Sequence, residues 1–264
     1  MTEVIANGVG FHIQRLLPRQ ELSRSKRPVV FIHGLAIDNL SSFYYTLANP
    51  VAHAGSEVIL YDLRGHGLSE RPRTGYQISD SVADLAAILD SLGVDGPVHL
   101  VGYSFGGAIA LSFAVAYPDR VTSMLLIEAH VPVPGWAEQM AARIRKIALD
   151  VAGSDVGRWI APKRKHARLA VVDDLINNTT LVTDLLASKP LPQQELRMFA
   201  RPVRAVYGAH SDILGHAHLL DSLLSEYTLT VLPGLDHWLL SNAPQVLRGI
   251  VLDWFAAQAE VGAR

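Results

Sequence analysis

Short runs of apolar residues alternate along this chain with longer stretches whose apolar positions recur at helical spacing. The short runs predict buried strands, and the longer stretches predict helices that pack against them. Strands are predicted at about 29–32, 57–61, 97–103, 121–127, 203–207 and 228–232. Helices are predicted near 41–54, 78–92, 106–117 and 215–226, with a closing helix from Pro244 to Ala259. This alternation is typical of an α/β fold with a mainly parallel, doubly wound sheet covered on both faces.

Two segments do not follow this alternation of predicted strands and helices. Near the start, Asn7-Gly8 separates the apolar run Val4–Ala6 from Val9–Leu16, which predicts a β-hairpin at the edge of the sheet. In the middle, residues 130–201 contain several prolines around helical stretches such as Ala137–Val151. We expect this segment to be an inserted helical cap that forms much of the substrate pocket, with residues 1–129 and 202–264 as the core domain.

Composition narrows the function classes. The 264 residues, 49% of them hydrophobic, are enough for one large core. A net charge of −2 argues against a general role on nucleic acid or at a membrane surface, since both would need a basic excess. The absence of cysteine excludes a thiol nucleophile and a cysteine-ligated metal. The N-terminal residues do not resemble a signal peptide and no stretch has eighteen consecutive apolar residues, so we expect a cytoplasmic protein.

The candidate chemistry centres on Gly102-Tyr103-Ser104-Phe105-Gly106-Gly107, which lies between a predicted strand and a predicted helix. A G-x-S-x-G pattern in this context is typical of a nucleophile elbow, in which a sharp turn holds the serine hydroxyl outwards. Glycines on both sides of Ser104 allow the close approach of backbone that such a turn requires. Ser104 is therefore the predicted nucleophile.

A serine nucleophile needs a base and a third group that orients the base. With this elbow the usual chain order is serine, then acid, then histidine. Asp212 and His237 follow predicted strands in that order, so we assign Asp212 as the orienting acid and His237 as the base. Glu128, directly after the strand 121–127, is the alternative acid, and Asp236 is a weaker rival.

Acyl transfer also requires backbone N–H donors for the oxyanion that forms on the carbonyl oxygen. One donor is predicted at Phe105, the residue after the nucleophile. The second is predicted at Leu35, in the His33-Gly34-Leu35 loop that follows the strand 29–32.

Together with Asp62-Leu63-Arg64-Gly65-His66-Gly67, these motifs resemble the α/β-hydrolase superfamily in its esterase and small-lipase branch. The resemblance runs from about Val4 to Phe255, except for residues 130–201. It implies an α/β-hydrolase fold, no cofactor, and an enzyme that cleaves an ester or thioester of an apolar small molecule through an acyl-enzyme. A cyclase, acyltransferase, carbon–carbon hydrolase or lyase on the same triad stays open, as does a non-catalytic ligand receptor.

Several further residues are candidates for binding. We name His33, Gly34, Trp136 and Trp238 as possible substrate contacts, and we expect His33 and His66 to be loop-stabilising hydrogen-bond partners rather than metal ligands. No metal site is expected, because His210, His216 and His218 lack a ligand pattern. The basic run Lys163-Arg164-Lys165-His166 is either a solvated face or a docking patch for an acidic substrate or an acyl-carrier protein.

Overall fold

The computed structural model describes residues 2–18, 27–153 and 162–261. Eight strands form one sheet in the order β1-β2-β4-β3-β5-β6-β7-β8. The strands are β1 Thr2–Ala6, β2 Val9–Leu16, β3 Val29–Ile32, β4 Val58–Tyr61, β5 Val98–Tyr103, β6 Val121–Ile127, β7 Val203–Gly208 and β8 Tyr227–Leu232. β1 and β2 form the predicted antiparallel hairpin, β2 runs antiparallel to β4, and all later pairs are parallel. The predicted fold class is confirmed.

Helices cover both faces of the sheet. They are α1 Ser41–Phe43, α2 Asn49–His53, α3 Ile78–Ser91, α4 Phe105–Ala116, α5 Trp136–Gly153, α6 Pro162–Asn177, α7 Leu181–Ala187, α8 Gln193–Arg197, α9 Leu214–Leu223, α10 Leu239–Asn242 and α11 Pro244–Val261. A π-helical segment, Tyr44–Ala48, joins α1 to α2, where the sequence predicts one continuous helix. Pro50 has no N–H for the α-helical ladder, and in the same turn the Asn49 side chain donates to the Tyr44 carbonyl oxygen.

The central strand β5 shows why the strands are continuous apolar runs. Its side chains alternate between two buried layers: Val98 and Leu100 belong to one, and Val101 and Tyr103 to the other. A strand that is buried on both faces needs apolar residues at every position. β5 lies between β3 and β6, so its carboxyl end opens onto the loops that follow those two strands.

Four described helices, α5 to α8, lie between β6 and β7, as the sequence predicts for the insertion. They are held against the loop after β4. The Asp184 carboxylate accepts hydrogen bonds from the backbone N–H groups of Gly75 and Tyr76 at 3.1 and 2.9 Å, and Arg71 forms an ion pair with Asp174. The role of residues 130–201 as a cap that lines the substrate pocket stays a prediction. The side chains of Lys163, Arg164, Lys165 and His166 lie outside the described residues.

Candidate active site

The nucleophile elbow has the predicted strand-turn-helix form. Ser104 stands between β5 and α4 with φ 55° and ψ −116°, a backbone conformation that L-residues seldom adopt. A Cβ on Gly102 would lie 2.6 Å from the Gly106 carbonyl oxygen, and one on Gly106 would lie 2.7 Å from the His33 carbonyl oxygen. Only glycine fits at these positions, so the turn is tight enough to hold the Ser104 side chain away from the sheet.

Two hydrogen bonds connect the side chains of Ser104, His237 and Glu128 in a row. Nε2 of His237 lies 3.1 Å from Oγ of Ser104, and Nδ1 of the same ring lies 2.9 Å from Oε2 of Glu128. His237 is almost buried, Glu128 is fully buried, and Ser104 is partly exposed. An N–H at Nδ1 donating to the carboxylate leaves the Nε2 lone pair facing the serine hydroxyl, which is the arrangement a general base needs.

The structure corrects the preferred acid. Asp212 makes no hydrogen bond to His237 among the described contacts; its carboxylate accepts from the Arg143 guanidinium at 2.6 Å, and its side chain is 67% exposed. Asp236, the other rival, accepts instead from the Trp238 N–H. The alternative, Glu128, occupies the position facing Nδ1 because β6 lies beside β5 and ends at the same edge of the sheet.

Two contacts that the sequence does not predict fix the His237 loop. The Tyr103 hydroxyl donates to the His237 carbonyl oxygen at 3.0 Å, and the two rings stack with centroids 5.6 Å apart. A Cβ on Gly208 would lie 2.7 Å from the Asp236 carbonyl oxygen. The end of β7 therefore contacts this loop directly through backbone atoms, with no room for a side chain between them. The x residue of the G-x-S-x-G pattern thus carries a structural role that the motif alone does not reveal.

The two candidate oxyanion donors lie on adjoining segments. Phe105 is the first residue of α4, so its N–H has no partner within the helix and lies at the positive end of the helix dipole. Leu35 follows β3, and the steric limit at Gly106 shows that the end of β3 packs directly against the start of α4. Their participation in catalysis stays a prediction.

His33 and His66 hold the loops around Leu35. Nε2 of His33 accepts from the Leu63 N–H at 2.9 Å, and its Nδ1 donates to the Gly34 carbonyl oxygen. Nε2 of His66 accepts from the Ala36 N–H at 2.9 Å, and its Nδ1 donates to the Arg64 carbonyl oxygen. Burial lowers the pKa of His33, and it lowers the pKa of His66 to about 3. Both rings are therefore neutral, and both nitrogens of His33 are engaged by backbone, which favours the loop-stabilising role over substrate contact.

The other three candidate substrate contacts lie close to the elbow. Gly34 faces the Tyr103 ring, which would lie 3.3 Å from a Cβ at this position. The Trp136 ring stacks on Phe105 with centroids 6.2 Å apart and an interplanar angle of 9°. Trp238 packs edge-on against His237, with centroids 6.0 Å apart. Of these rings, that of Trp238 borders the histidine, whereas those of Phe105 and Trp136 are almost fully buried in the core.

His130 is a neighbour that the sequence pattern did not single out. Its backbone N–H donates to the Ser104 carbonyl oxygen at 3.0 Å, and its ring lies 6.1 Å from the His237 ring and 5.5 Å from the His216 ring. Burial lowers the pKa of His130 well below its ordinary value, so the imidazole is neutral. Its position, two residues after Glu128 at the end of β6, was the one signal available in the sequence.

Metal binding and membrane insertion find no support in the described residues. No group of three or more His, Asp or Glu side chains is arranged to hold a metal ion within the described parts of the chain. His216, one of the histidines considered for metal binding, instead accepts the Val131 N–H through Nδ1. Across residues 2–18, 27–153 and 162–261, no helix has the length and apolar character needed to cross a membrane.

A sequence profile of the α/β-hydrolase fold matches residues 27–244. The chain belongs to the α/β-hydrolase family. This α/β hydrolase is 28% identical to a non-heme chloroperoxidase of Streptomyces lividans, over 85% of this chain and 90% of that protein. It is 39% identical to a 2-hydroxy-6-oxo-2,4-heptadienoate hydrolase of Pseudomonas putida, but that match spans only 39% of this chain and 37% of the relative.

Solved structures agree on the fold. An esterase from Exiguobacterium antarcticum superposes on this α/β hydrolase with a TM-score of 0.75 over 97% of this chain and 99% of the esterase, at 18% sequence identity. At that identity the likeness concerns the fold alone. The family profile places the chain among the α/β hydrolases, and the activity and substrate have to be argued from the site.

Proposed function

We propose that this α/β hydrolase is a serine hydrolase that cleaves an ester or thioester of an apolar small molecule. The observation that carries the proposal is the hydrogen-bonded row from Ser104 Oγ through the His237 imidazole to the Glu128 carboxylate, with separations of 3.1 and 2.9 Å. A serine hydroxyl becomes an effective nucleophile when a base within this reach accepts its proton. The Trp238 ring, which packs edge-on against His237, supports an apolar substrate.

In the acylation step, Ser104 Oγ attacks the carbonyl carbon while Nε2 of His237 takes the hydroxyl proton. The carbonyl π electrons move to the oxygen, which accepts hydrogen bonds from the N–H groups of Phe105 and Leu35. When the tetrahedral intermediate collapses, His237 returns the proton to the departing alcohol or thiol. Water then repeats the sequence on the acyl-Ser104 ester, and the acid product leaves. Throughout, Glu128 stays ionised and stabilises the imidazolium.

The test combines covalent labelling with turnover. A fluorophosphonate probe should label Ser104 in the native protein, identified by mass spectrometry of the labelled peptide, and should not label heat-denatured protein. With a panel of nitrophenyl esters and acyl thioesters of increasing chain length, Ser104→Ala should lower kcat by about 10³-fold or more. Labelling of another residue, or a Ser104→Ala variant that keeps its activity, would refute the proposal.

A second candidate is hydrolysis of a carbon–carbon bond, favoured by the similarity to the P. putida hydrolase over part of the chain. The same serine and histidine can serve that chemistry, so the substrate has to decide. A 2-hydroxy-6-oxo-dienoate absorbs strongly in the visible range, and its cleavage is followed as a loss of colour. A kcat/KM for this compound above that of every ester and thioester in the panel would replace the first candidate.

The carrier-protein hypothesis belongs to the same proposal. The insertion 130–201 has eleven Lys or Arg and seven Asp or Glu, and its densest basic run is Lys163-Arg164-Lys165. Acyl-carrier proteins are acidic, so this excess favours their docking. Charge reversal of the three residues should lower kcat/KM for carrier-bound thioesters while the same acyl group on a small thiol keeps its rate. Equal rates on both substrates would exclude docking at this run.

A further inference from the structure

Both oxygens of the Glu128 carboxylate have dedicated donors. Oε1 accepts from the Gly208 backbone N–H at 2.5 Å, and Oε2 accepts from the Ser211 hydroxyl at 2.5 Å while also facing Nδ1 of His237. The Glu128 side chain is fully buried. A buried carboxylate is costly unless hydrogen bonds replace its lost water. These donors therefore make an ionised acid possible at this position.

The two extra donors come from one loop, the turn that follows β7. This is the loop on which the sequence pattern placed the acid itself. Instead of supplying a carboxylate to His237, it supplies an N–H and a hydroxyl to a carboxylate that arrives from β6. Asp212 on the same loop points outwards to Arg143.

Ser211 donates its hydroxyl proton to Glu128 and accepts a hydrogen bond at the same oxygen. Ser211 Oγ accepts a hydrogen bond from the Ile213 N–H at 3.3 Å. The single hydroxyl proton is directed to Glu128 Oε2, because an ionised carboxylate can only accept. Gly208 approaches through bare backbone, as its position against the His237 loop requires.

We infer that Ser211 is a positioning residue for the reaction, fixing the Glu128 carboxylate so that His237 keeps the orientation and tautomer that act on Ser104. The inference rests on the proposed function, since it assumes that His237 is the base. Glutamate has one more rotatable bond than aspartate, so an acid of this length loses more side-chain entropy when it is held in one place. The donors at residues 208 and 211 compensate for that freedom.

Ser211→Ala should lower kcat by about tenfold or more with little change in KM, since the acid and base lose alignment rather than substrate contacts. In a plot of kcat/KM against pH, the acid limb, where activity falls as pH decreases, should also move to higher pH. Removing a donor from the carboxylate makes the Glu128–His237 pair hold a proton more tightly, and the protonated pair is inactive. A loss of fold or of active fraction would lower the rate without moving this limb.

Other titratable groups around the pair do not produce that shift. Among the described residues, the titratable rings in contact with His237 are those of Tyr103 and His130. Burial raises the pKa of Tyr103 well above its ordinary value and lowers the pKa of His130 well below its own, so both stay neutral across the range of the assay. Asp236 bonds to the Trp238 N–H, and Arg143 and Asp212 neutralise each other.

Ser123 offers a matched control on β6. Ser123 lies five residues before Glu128 in the chain, and its buried hydroxyl forms a hydrogen bond with Nδ1 of His99 at 2.7 Å. Ser123→Ala should leave kcat/KM and its pH profile as in the wild type. Ser211→Thr, which keeps the hydroxyl, should restore most of the rate lost in Ser211→Ala. If Ser211→Ala does not fold, Ser211→Cys replaces it, because a thiol is a weak donor in the same place.

The outcomes separate the two proposals. If the fluorophosphonate probe fails to label Ser104 in the wild type, the serine-hydrolase function fails. If Ser104 is labelled but folded Ser211→Ala or Ser211→Cys keeps the wild-type kcat and acid limb, the positioning role fails alone. An equal fall of rate in Ser123→Ala, or no recovery in Ser211→Thr, likewise overturns the role of Ser211.

Discussion

Oε2 of Glu128 lies 2.9 Å from Nδ1 of His237, although the two residues are 109 positions apart in the chain. Glu128 follows β6 in a positive-φ conformation, φ 48°, and His237 follows β8. The acid thus arrives from the strand next to the nucleophile strand, and the histidine reaches it from the far edge of the parallel sheet. Both catalysis and stability should depend on this arrangement and on the packing around it.

Glu128→Gln should lower kcat by about 10³- to 10⁴-fold, because an amide no longer stabilises the imidazolium or selects the Nδ1–H tautomer. The measurement is steady-state turnover of the best ester from the panel. Asp212→Asn is the matched control, since this carboxylate is exposed and bonded to Arg143. It should keep the wild-type rate. A larger loss in Asp212→Asn than in Glu128→Gln would assign the acid to the loop after β7.

Gly106→Ala should fail to give folded, soluble protein. A Cβ at this position would overlap the Ile32 carbonyl and lie 2.7 Å from the His33 carbonyl oxygen, both of which are backbone atoms that cannot move aside. Gly249→Ala provides the opposite case. Gly249 lies within α11, and a Cβ added there would meet no atom within 4 Å, so alanine should stabilise the fold by about 0.5–1 kcal/mol. Urea denaturation measures both, and a folded Gly106→Ala of normal stability would contradict the close approach.

Acidification should destabilise the protein through its buried neutral histidines. Burial lowers the pKa of His66 to about 3 and that of His99 to about 4, against an ordinary value of 6.5. The unfolded chain therefore binds protons first as pH falls. Stability from these groups is fully present above pH 6.5 and is lost at about 1.4 kcal/mol per pH unit per histidine as pH falls towards the folded pKa.

The check is the free energy of unfolding in urea at pH 7 and pH 5 for wild type and His66→Gln. Glutamine keeps a donor and an acceptor but does not titrate, so the variant should lose less stability between the two pH values. His53→Gln, at an exposed position, should show the wild-type pH dependence. Identical pH slopes for wild type and His66→Gln would mean that the imidazole is not buried in neutral form.

Asp184→Ala should loosen the insertion from the core. The Asp184 carboxylate accepts from the N–H groups of Gly75 and Tyr76, and its removal leaves these donors without that partner. The expected loss is about 1–3 kcal/mol in the free energy of unfolding. Limited proteolysis should also cut the variant faster within α7 and its flanks.

Asp173→Ala is the control for this change, because its described hydrogen bond is an exposed one to Asn177 on the same helix. Its stability and cleavage rate should match those of the wild type. If Asp184→Ala and Asp173→Ala behave alike, the contact between Asp184 and the loop after β4 does not hold the insertion in place.

Local pattern accounts for much of what could be predicted. The strands, the hairpin at Asn7-Gly8 and the elbow around Ser104 depend on residues that are neighbours in the chain, so periodicity and glycine spacing reveal them. The π-helical segment at Tyr44–Ala48 was missed, because it depends on how one turn accommodates Pro50 and the Asn49 side chain. The helix propensities of the residues do not predict such a change of hydrogen-bond partner.

By itself, the sequence determined the α/β architecture and the elbow around Ser104, and it predicted Ser104 and His237 as nucleophile and base, since each follows from a short contiguous motif and its place in the alternation of elements. Which acid completes the row was decided only by the tertiary structure. Glu128 and Asp212 each follow a parallel strand, and the pattern gives them equal access to the same edge of the sheet. Packing separates them: Glu128 is buried beneath His237 with donors on both oxygens, whereas Asp212 reaches solvent and Arg143.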